Sequence, residues 1–354
     1  MKLKCFRYCD NTWETKGIDL FSSNLFVGKN AVGKSKTIQS LSVLSGLFSQ
    51  RISLKSNMPV SGAMTFTNDE TNLDYRFYWD GHKVTLEELI LYSGQNKVVV
   101  IDRQGGIAKL KDESINPPQD KLILNVRRDV ILFPEIEEIV SWAERLEAFC
   151  FNEFDIDGDA KLYSRFISGG ENLYDMVVSL MPFEGSIGKI VNMASSMGYH
   201  IEKIEPMMLG EFKKVAFYEK GVEQVMFDKN LSKGMFRTLY LLIYLEYISN
   251  LGRPATLLID DLCEGLDYDR STKLGKYVFD YCSKNDIQLI ATSNDSFLMD
   301  VVDLNYWSIL QREGSKVSAI NHKNHPELFE DFSFTGLSNF DLLSSDFIAR
   351  HKNK

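Results

Sequence analysis

Gly28-Lys29-Asn30-Ala31-Val32-Gly33-Lys34-Ser35 spaces two glycines, a lysine and a hydroxyl as G-x-x-x-x-G-K-[ST]. Residue types in that order are suited to holding phosphate. The glycines let the main chain curl until several N–H groups face one point. A helix starting directly afterwards adds the positive end of its dipole. Lys34 would then reach the β- and γ-phosphates of a nucleotide, and the Ser35 hydroxyl would ligate Mg²⁺. With Lys36, the run from Gly28 onward is the expected ATP-binding stretch.

Thr256-Leu257-Leu258-Ile259-Asp260-Asp261 supplies the second acidic centre that such a loop needs. An apolar strand would deliver Asp260 at its C-terminal edge, to hold Mg²⁺ directly or through water. Asp261 would orient or deprotonate the attacking water. Lys34, Asp260 and Asp261 are therefore the candidate catalytic residues, and Ser35 and Asp260 the candidate metal ligands. The plainer alternatives are a glycine turn before an ordinary helix and an aspartate pair that merely ends a strand. A full match in the right context, with both features in one chain, weighs against them.

These groups need strands and helices behind them. Asn24-Leu25-Phe26-Val27 reads as a short buried strand ending at the loop, and Ile38, Leu41, Leu44 and Leu47 follow with helical spacing. Between about residues 62 and 110 the pattern is antiparallel β, with strands at 63–66, 73–79 and 97–101. Pro134 opens a helix with the apolar stripe Ile136, Ile139, Val140, Ala143 and Leu146; Glu137, Glu138, Glu144 and Glu147 lie outward. Helices are expected at 172–180, 187–197, 235–249 and 271–283, and strands at 215–218, 225–227 and 288–292. The expected class is α/β, a P-loop nucleotide-binding domain with an antiparallel β-meander and a helical insertion. Its parts are an N-terminal half (1–130), the insertion (131–204) and a C-terminal half with an aromatic tail (205–354).

Composition narrows the function classes. The 354 residues are 44% hydrophobic and 25% charged, which excludes wholesale disorder. The most apolar stretch, residues 239–248, is too short for a membrane span and is broken by Glu246. Five scattered cysteines without paired spacing suit a reducing cytoplasm and argue against a disulfide framework or a structural zinc. The net charge is −9, of which −8 falls within residues 135–159, so no basic surplus marks a large nucleic-acid footprint. Asp155-Ile156-Asp157-Gly158-Asp159 lacks the EF-hand glycine and glutamate positions and reads as a solvated turn. The aromatic tail reads first as packing, with base stacking or partner docking as alternatives.

Two further stretches and one loop residue resemble a known family. Leu231-Ser232-Lys233-Gly234-Met235 looks like the signature motif of ABC-type ATPases, usually Leu-Ser-Gly-Gly-Gln/Glu. Glu264-Gly265-Leu266-Asp267 looks like the D-loop that follows the acidic pair, and Asn30 fits the P-loop of the chromosome-maintenance (SMC), RecF-like and overcoming-lysogenization-defect (OLD-like) branch. The resemblance covers roughly residues 1–110 and 205–310. It implies a composite site in which Ser232, Lys233 and Gly234 of one subunit contact the γ-phosphate held by another, so that a homodimer or higher homo-oligomer closes around ATP. A serine N-cap is the plainer role for Ser232. The resemblance also implies a separate effector protein, a nuclease being one candidate, in prokaryotic anti-phage defence, with DNA a further candidate partner and no membrane. A nucleotide-gated scaffold and a DNA-repair clamp are the alternatives.

The chain departs from that pattern at four places. Ala31 replaces a P-loop glycine, and Lys233 and Met235 alter the signature. Asp261 stands where the family has a glutamate one methylene longer, so slow hydrolysis is expected. The histidine after the last strand is replaced by Ser293 or Asn294, which hydrogen-bond but carry no positive charge. Gln104 follows a strand, as the family's Q-loop glutamine does, but reads as hairpin-turn filler.

Overall fold

The chain opens with β1 (Lys2–Asp10), β2 (Glu14–Asp19) and β3 (Ser23–Val27), then turns through the glycine loop into α1 (Lys34–Phe48). A computed structural model describes residues 1–54, 57–68, 70–150, 173–250, 256–345 and 347–352. Every residue of β3 is buried because its two faces serve different cores. Phe26 packs with Leu41, Leu44 and Phe48 of α1, whereas Leu25 and Val27 belong with Leu241, Val278 and Trp307 of the C-terminal half. A strand covered on both sides favours apolar residues, which Leu25-Phe26-Val27 supply, while buried Asn24 is satisfied by donating to the Phe21 and Leu289 carbonyls at 2.9 Å.

Six strands follow: β4 (Val60–Asn68), β5 (Thr71–Trp79), β6 (Val84–Ser93), β7 (Asn96–Gln104), β8 (Ile107–Leu110) and β9 (Glu113–Ile115). Each is antiparallel to the next, and β4 joins the set to β1. The sequence pattern gives no strand at β6, for two reasons. A register shift at Leu89/Ile90 breaks the period of two. Glu87 also points into the core, fully buried, and accepts from the Tyr75 hydroxyl at 3.0 Å and from the N–H groups of Ile123 and Leu124 at 2.7 and 3.0 Å.

Next come α2 (Ile123–Val126), α3 (Pro134–Glu144), β10 (Leu146–Cys150), α4 (Leu173–Leu180), α5 (Ser186–Ser196), β11 (Ile201–Leu209) and β12 (Phe212–Glu219). Pro134 opens α3, and Ile136, Ile139, Val140 and Ala143 are buried. The helix stops at Glu144, so Leu146 does not extend its stripe; it begins β10, which pairs in parallel with Thr256–Asp260. The middle of the chain is therefore not purely helical, since it returns a strand to the main sheet. The acidic side of α3 is partly covered. Arg128 bridges Glu137 at 2.5 Å and Glu144 at 3.2 Å, and Lys111 reaches Glu135 at 3.5 Å. The acidic turn at residues 155–159 lies outside the described residues. Of the strand expected at 225–227, the structure forms a single bridge, Phe217 to Met226.

The C-terminal half contributes α6 (Lys233–Asn250), β13 (Thr256–Asp260), α7 (Tyr268–Lys284), β14 (Gln288–Thr292), α8 (Ser296–Val301), β15 (Trp307–Glu313), β16 (Lys316–Ile320) and α9 (Pro326–Ser333). Fourteen strands then form one sheet in the order β10-β13-β14-β3-β15-β16-β2-β1-β4-β5-β6-β7-β8-β9. The first five are mutually parallel. That arrangement brings the C-terminal ends of β3, β13 and β14 side by side, the edge where ligands bind in open α/β sheets. In the tail, Leu328, Phe329 and Phe332 are buried in the C-terminal core, while Phe334 is exposed.

Candidate nucleotide-binding site

The glycine loop leaves β3 at the sheet's C-terminal edge and enters α1 at Lys34. Gly28 has φ +154° and a Cβ there would lie 2.9 Å from the Leu310 carbonyl oxygen. Gly33 has φ +97° and lies so close to Trp13 that no side chain fits. Glycine is thus required twice, once for approach and once for the left-handed step that starts the helix. Lys29, Asn30 and Ala31 form the exposed rim, Val32, Ser35 and Lys36 are half-buried, and Ala31 holds φ +64°.

Lys34 is buried, and its ammonium donates to the Gly28 carbonyl at 2.9 Å. Burial pushes its pKa below the ordinary lysine range, while the charges of Asp261 and Asp260 pull it back up. The cation from one motif therefore sits in the field of both carboxylates from the other, although more than two hundred positions separate them in the chain. Asp260 and Asp261 are themselves buried, at 4% and 7% exposure.

Thr292, at the end of β14, ties the pair together. Its hydroxyl donates to Asp260 Oδ1 at 2.5 Å and accepts from the Asp261 N–H at 2.8 Å. The sequence reading missed Thr292; the available signal was its place at the strand end directly before Ser293. Asp261 has φ +54° and Cys263 φ +69°, left-handed values that are uncommon outside glycine and cluster at functional sites.

The two residues that stand in the histidine's place separate. Ser293 is fully buried and donates to the Leu262 carbonyl at 2.9 Å, which occupies it with the backbone. Asn294 turns the other way, its amide 3.4 Å from Asp261 Oδ1. Gln104 lies at the exposed end of β7 and bonds Asp102 at 3.2 Å, as turn filler does. On the parallel side of the sheet, β10 ends beside the acidic pair, with Cys150 the register partner of Asp260.

The signature stretch forms the start of α6. Ser232 accepts the Met235 N–H at 3.3 Å, so the capping role is realised. Ser232 and Lys233 are exposed, and Gly234 packs against Leu266, where a Cβ would come within 2.9 Å of Cδ2. Asp267 caps α7 through the Arg270 N–H at 3.0 Å and pairs with the Arg270 guanidinium at 2.7 Å; Arg270 stacks on Tyr199.

Among the described residues no group of three His, Cys, Asp or Glu side chains is placed to hold a metal. Mg²⁺ in nucleotide sites uses one or two protein oxygens with phosphate and water, so the hard donors of Ser35 and Asp260 suffice for it. The carboxylate of Asp260, buried beside the Lys34 cradle, fits that ion.

Solved structures share this architecture. An SmcHead bound to the C-winged helix domain of ScpA superposes with a TM-score of 0.53 at 12% identity, covering 92% of this chain and 100% of that one. The chain shares its fold with SMC heads. A second Smc head domain, with an extended coiled coil and bound to the C-terminal domain of ScpA from Pyrococcus furiosus, covers 94% of this chain at a TM-score of 0.48 and 11% identity. No protein-family model and no curated protein matches the sequence. No described helix is long and apolar enough to cross a membrane.

Proposed function

We propose that the chain is an ATP-binding, slowly hydrolysing ABC-type ATPase of the SMC-like kind. The observation that carries this is Lys34, held on the Gly28 carbonyl within the field of Asp260 and Asp261. The loop's N–H groups and the α1 N-terminus would receive the phosphates, and Lys34 would exchange the Gly28 carbonyl for a phosphate oxygen. Mg²⁺, held by Ser35 and Asp260, would supply charge neutralisation on the phosphates. Asp261 would orient the attacking water, with the Asn294 amide fixing its carboxylate.

Slow turnover follows from two features of that group. Asp261 is a short acid, and Asn294 cannot carry the charge that a histidine would. The same features favour a second reading, a nucleotide-gated scaffold whose ATP is bound far longer than it is cleaved. In both readings, exposed Ser232 and Lys233, with Gly234, contact the nucleotide of a second copy, and the homodimer closes around ATP. We assign residues 1–130 and 205–354 to the two halves of the nucleotide-binding domain and 131–204 to an insertion.

The SMC head above is bound to a separate protein, ScpA. By analogy this chain would control a separate effector in the cytoplasm, in the setting of prokaryotic anti-phage defence, with a nuclease as the first candidate and DNA as a further one. Sedimentation with and without a slowly hydrolysed ATP analogue and Mg²⁺ tests the central claim. The expected result is a monomer that becomes a dimer only with nucleotide. An unchanged sedimentation profile at saturating nucleotide would overturn it.

A further inference from the structure

The outer side of the phosphate loop is backed by Trp13 and Arg312, which the nucleotide reading leaves unused. A Cβ on Gly33 would lie 2.0 Å from Trp13 Cη2, so the indole occupies space that only glycine leaves. Trp13 is 2% exposed and sits in the β1–β2 turn. Two cations approach its ring. The Lys36 ammonium is 4.8 Å and the Arg312 guanidinium 5.2 Å from the ring centroid, both within cation–π range. The indole N–H is buried without a partner, a cost that phenylalanine would avoid. What tryptophan adds in return is the larger π-face for the cations.

Arg312 reaches further, into the loop itself. Its Nη1 donates to the Ala31 carbonyl at 3.1 Å and its Nε to the Gly314 carbonyl at 2.6 Å. Ala31 is the loop residue held at φ +64°, a conformation that persists only when neighbouring contacts fix it. The two supports come from opposite ends of the chain. The Glu14 N–H donates to the Ser315 carbonyl at 2.9 Å, and Lys316 pairs with Glu14 at 3.3 Å, so the β1–β2 turn and the β15–β16 hairpin meet beside the loop.

We propose that Trp13 and Arg312 are positioning residues for the phosphate loop: Trp13 backs Gly33, and Arg312 holds the Ala31 carbonyl outward so that the adjoining N–H groups face the phosphates. The inference rests on the nucleotide-binding reading and goes beyond it. Arg312 is solvent-exposed, so its removal leaves no buried charge behind.

The test measures binding of a slowly hydrolysed ATP analogue by tryptophan emission and by calorimetry, together with the melting temperature without nucleotide. Arg312→Ala is expected to raise Kd about fivefold, the scale of one partly exposed hydrogen bond with its cation–π contact. Arg312→Lys, keeping the charge over Trp13 and one bond, should fall between. The nucleotide-free melting temperature should stay at the wild-type value, and the emission change on binding should be lost in Trp13→Phe. An unchanged Kd in Arg312→Ala overturns the inference. So does a loss of affinity matched by a lower melting temperature, which is general destabilisation. Lys34→Ala separates the two levels: if it abolishes binding while Arg312→Ala does nothing, nucleotide binding stands and the brace falls. A wild-type protein that binds no ATP removes both.

Discussion

The Thr292 hydroxyl donates to Asp260 Oδ1 at 2.5 Å, and its own oxygen accepts the Asp261 N–H at 2.8 Å. One side chain therefore sets the direction of the candidate metal ligand and the backbone of the candidate catalytic acid. Both partners are buried, so neither bond is replaced readily by water.

Thr292→Val should leave that N–H unsatisfied and cost about 1–3 kcal/mol, read as a lower urea midpoint. Thr292→Ser should recover most of the loss, because the hydroxyl returns. Hydrolysis should fall further than stability accounts for, since Asp260 also loses its fixed orientation.

Asp261 holds φ +54°, which Asp and Asn tolerate better than other side chains. Asp261→Asn should accordingly keep its fold and trap bound ATP, measured as nucleotide retained after gel filtration. Asp261→Glu should lengthen the acid and raise turnover while lowering stability by ~1 kcal/mol for the left-handed backbone. A fast ATPase that survives Asp261→Asn would assign the chemistry elsewhere.

Lys34 and Ser232 should separate binding from closure. Lys34→Ala is expected to abolish nucleotide binding. Ser232→Arg, at an exposed position on the α6 N-terminus, should leave binding intact and block the nucleotide-dependent dimer. Equal dimerisation of the Ser232→Arg protein in sedimentation would remove the shared-site argument.

Glu87 predicts a pH dependence. Complete burial pushes its carboxyl up to about 7, against the opposing pull of the Ile123 and Leu124 N–H groups, the Tyr75 hydroxyl and nearby Arg103. The protonated form is thus favoured in the folded chain relative to the unfolded one. The stabilisation is complete below the ordinary glutamate range and is lost as pH rises toward and through 7. Urea unfolding should show a loss of about 2–3 kcal/mol between pH 5 and 8 from this group. Glu87→Gln should flatten that slope; an identical slope in the variant would contradict the assignment.

The sequence by itself determined the parts whose signal is local. Glycines spaced five apart before Lys34, and the apolar run Leu257-Leu258-Ile259 before Asp260, specify backbone and burial within a few residues, so both motifs were legible without a fold. The same holds for α1 and for the start of α3, where apolar period and Pro134 act along one helix.

Tertiary structure decided what depends on distant partners. Leu146 follows the apolar spacing of α3 yet forms β10, because Thr256–Asp260 offers an open parallel edge that a helix could not fill. Glu87 is charged yet buried, because two N–H groups and a tyrosine hydroxyl converge on it from elsewhere in the chain. Thr292 gained its role only when β14 was laid between β3 and β13. Trp13 and Arg312 stand at opposite ends of the sequence and meet only because β2 pairs with β16. Hydrogen bonds and close contacts of this kind have no period, so no local pattern announces them.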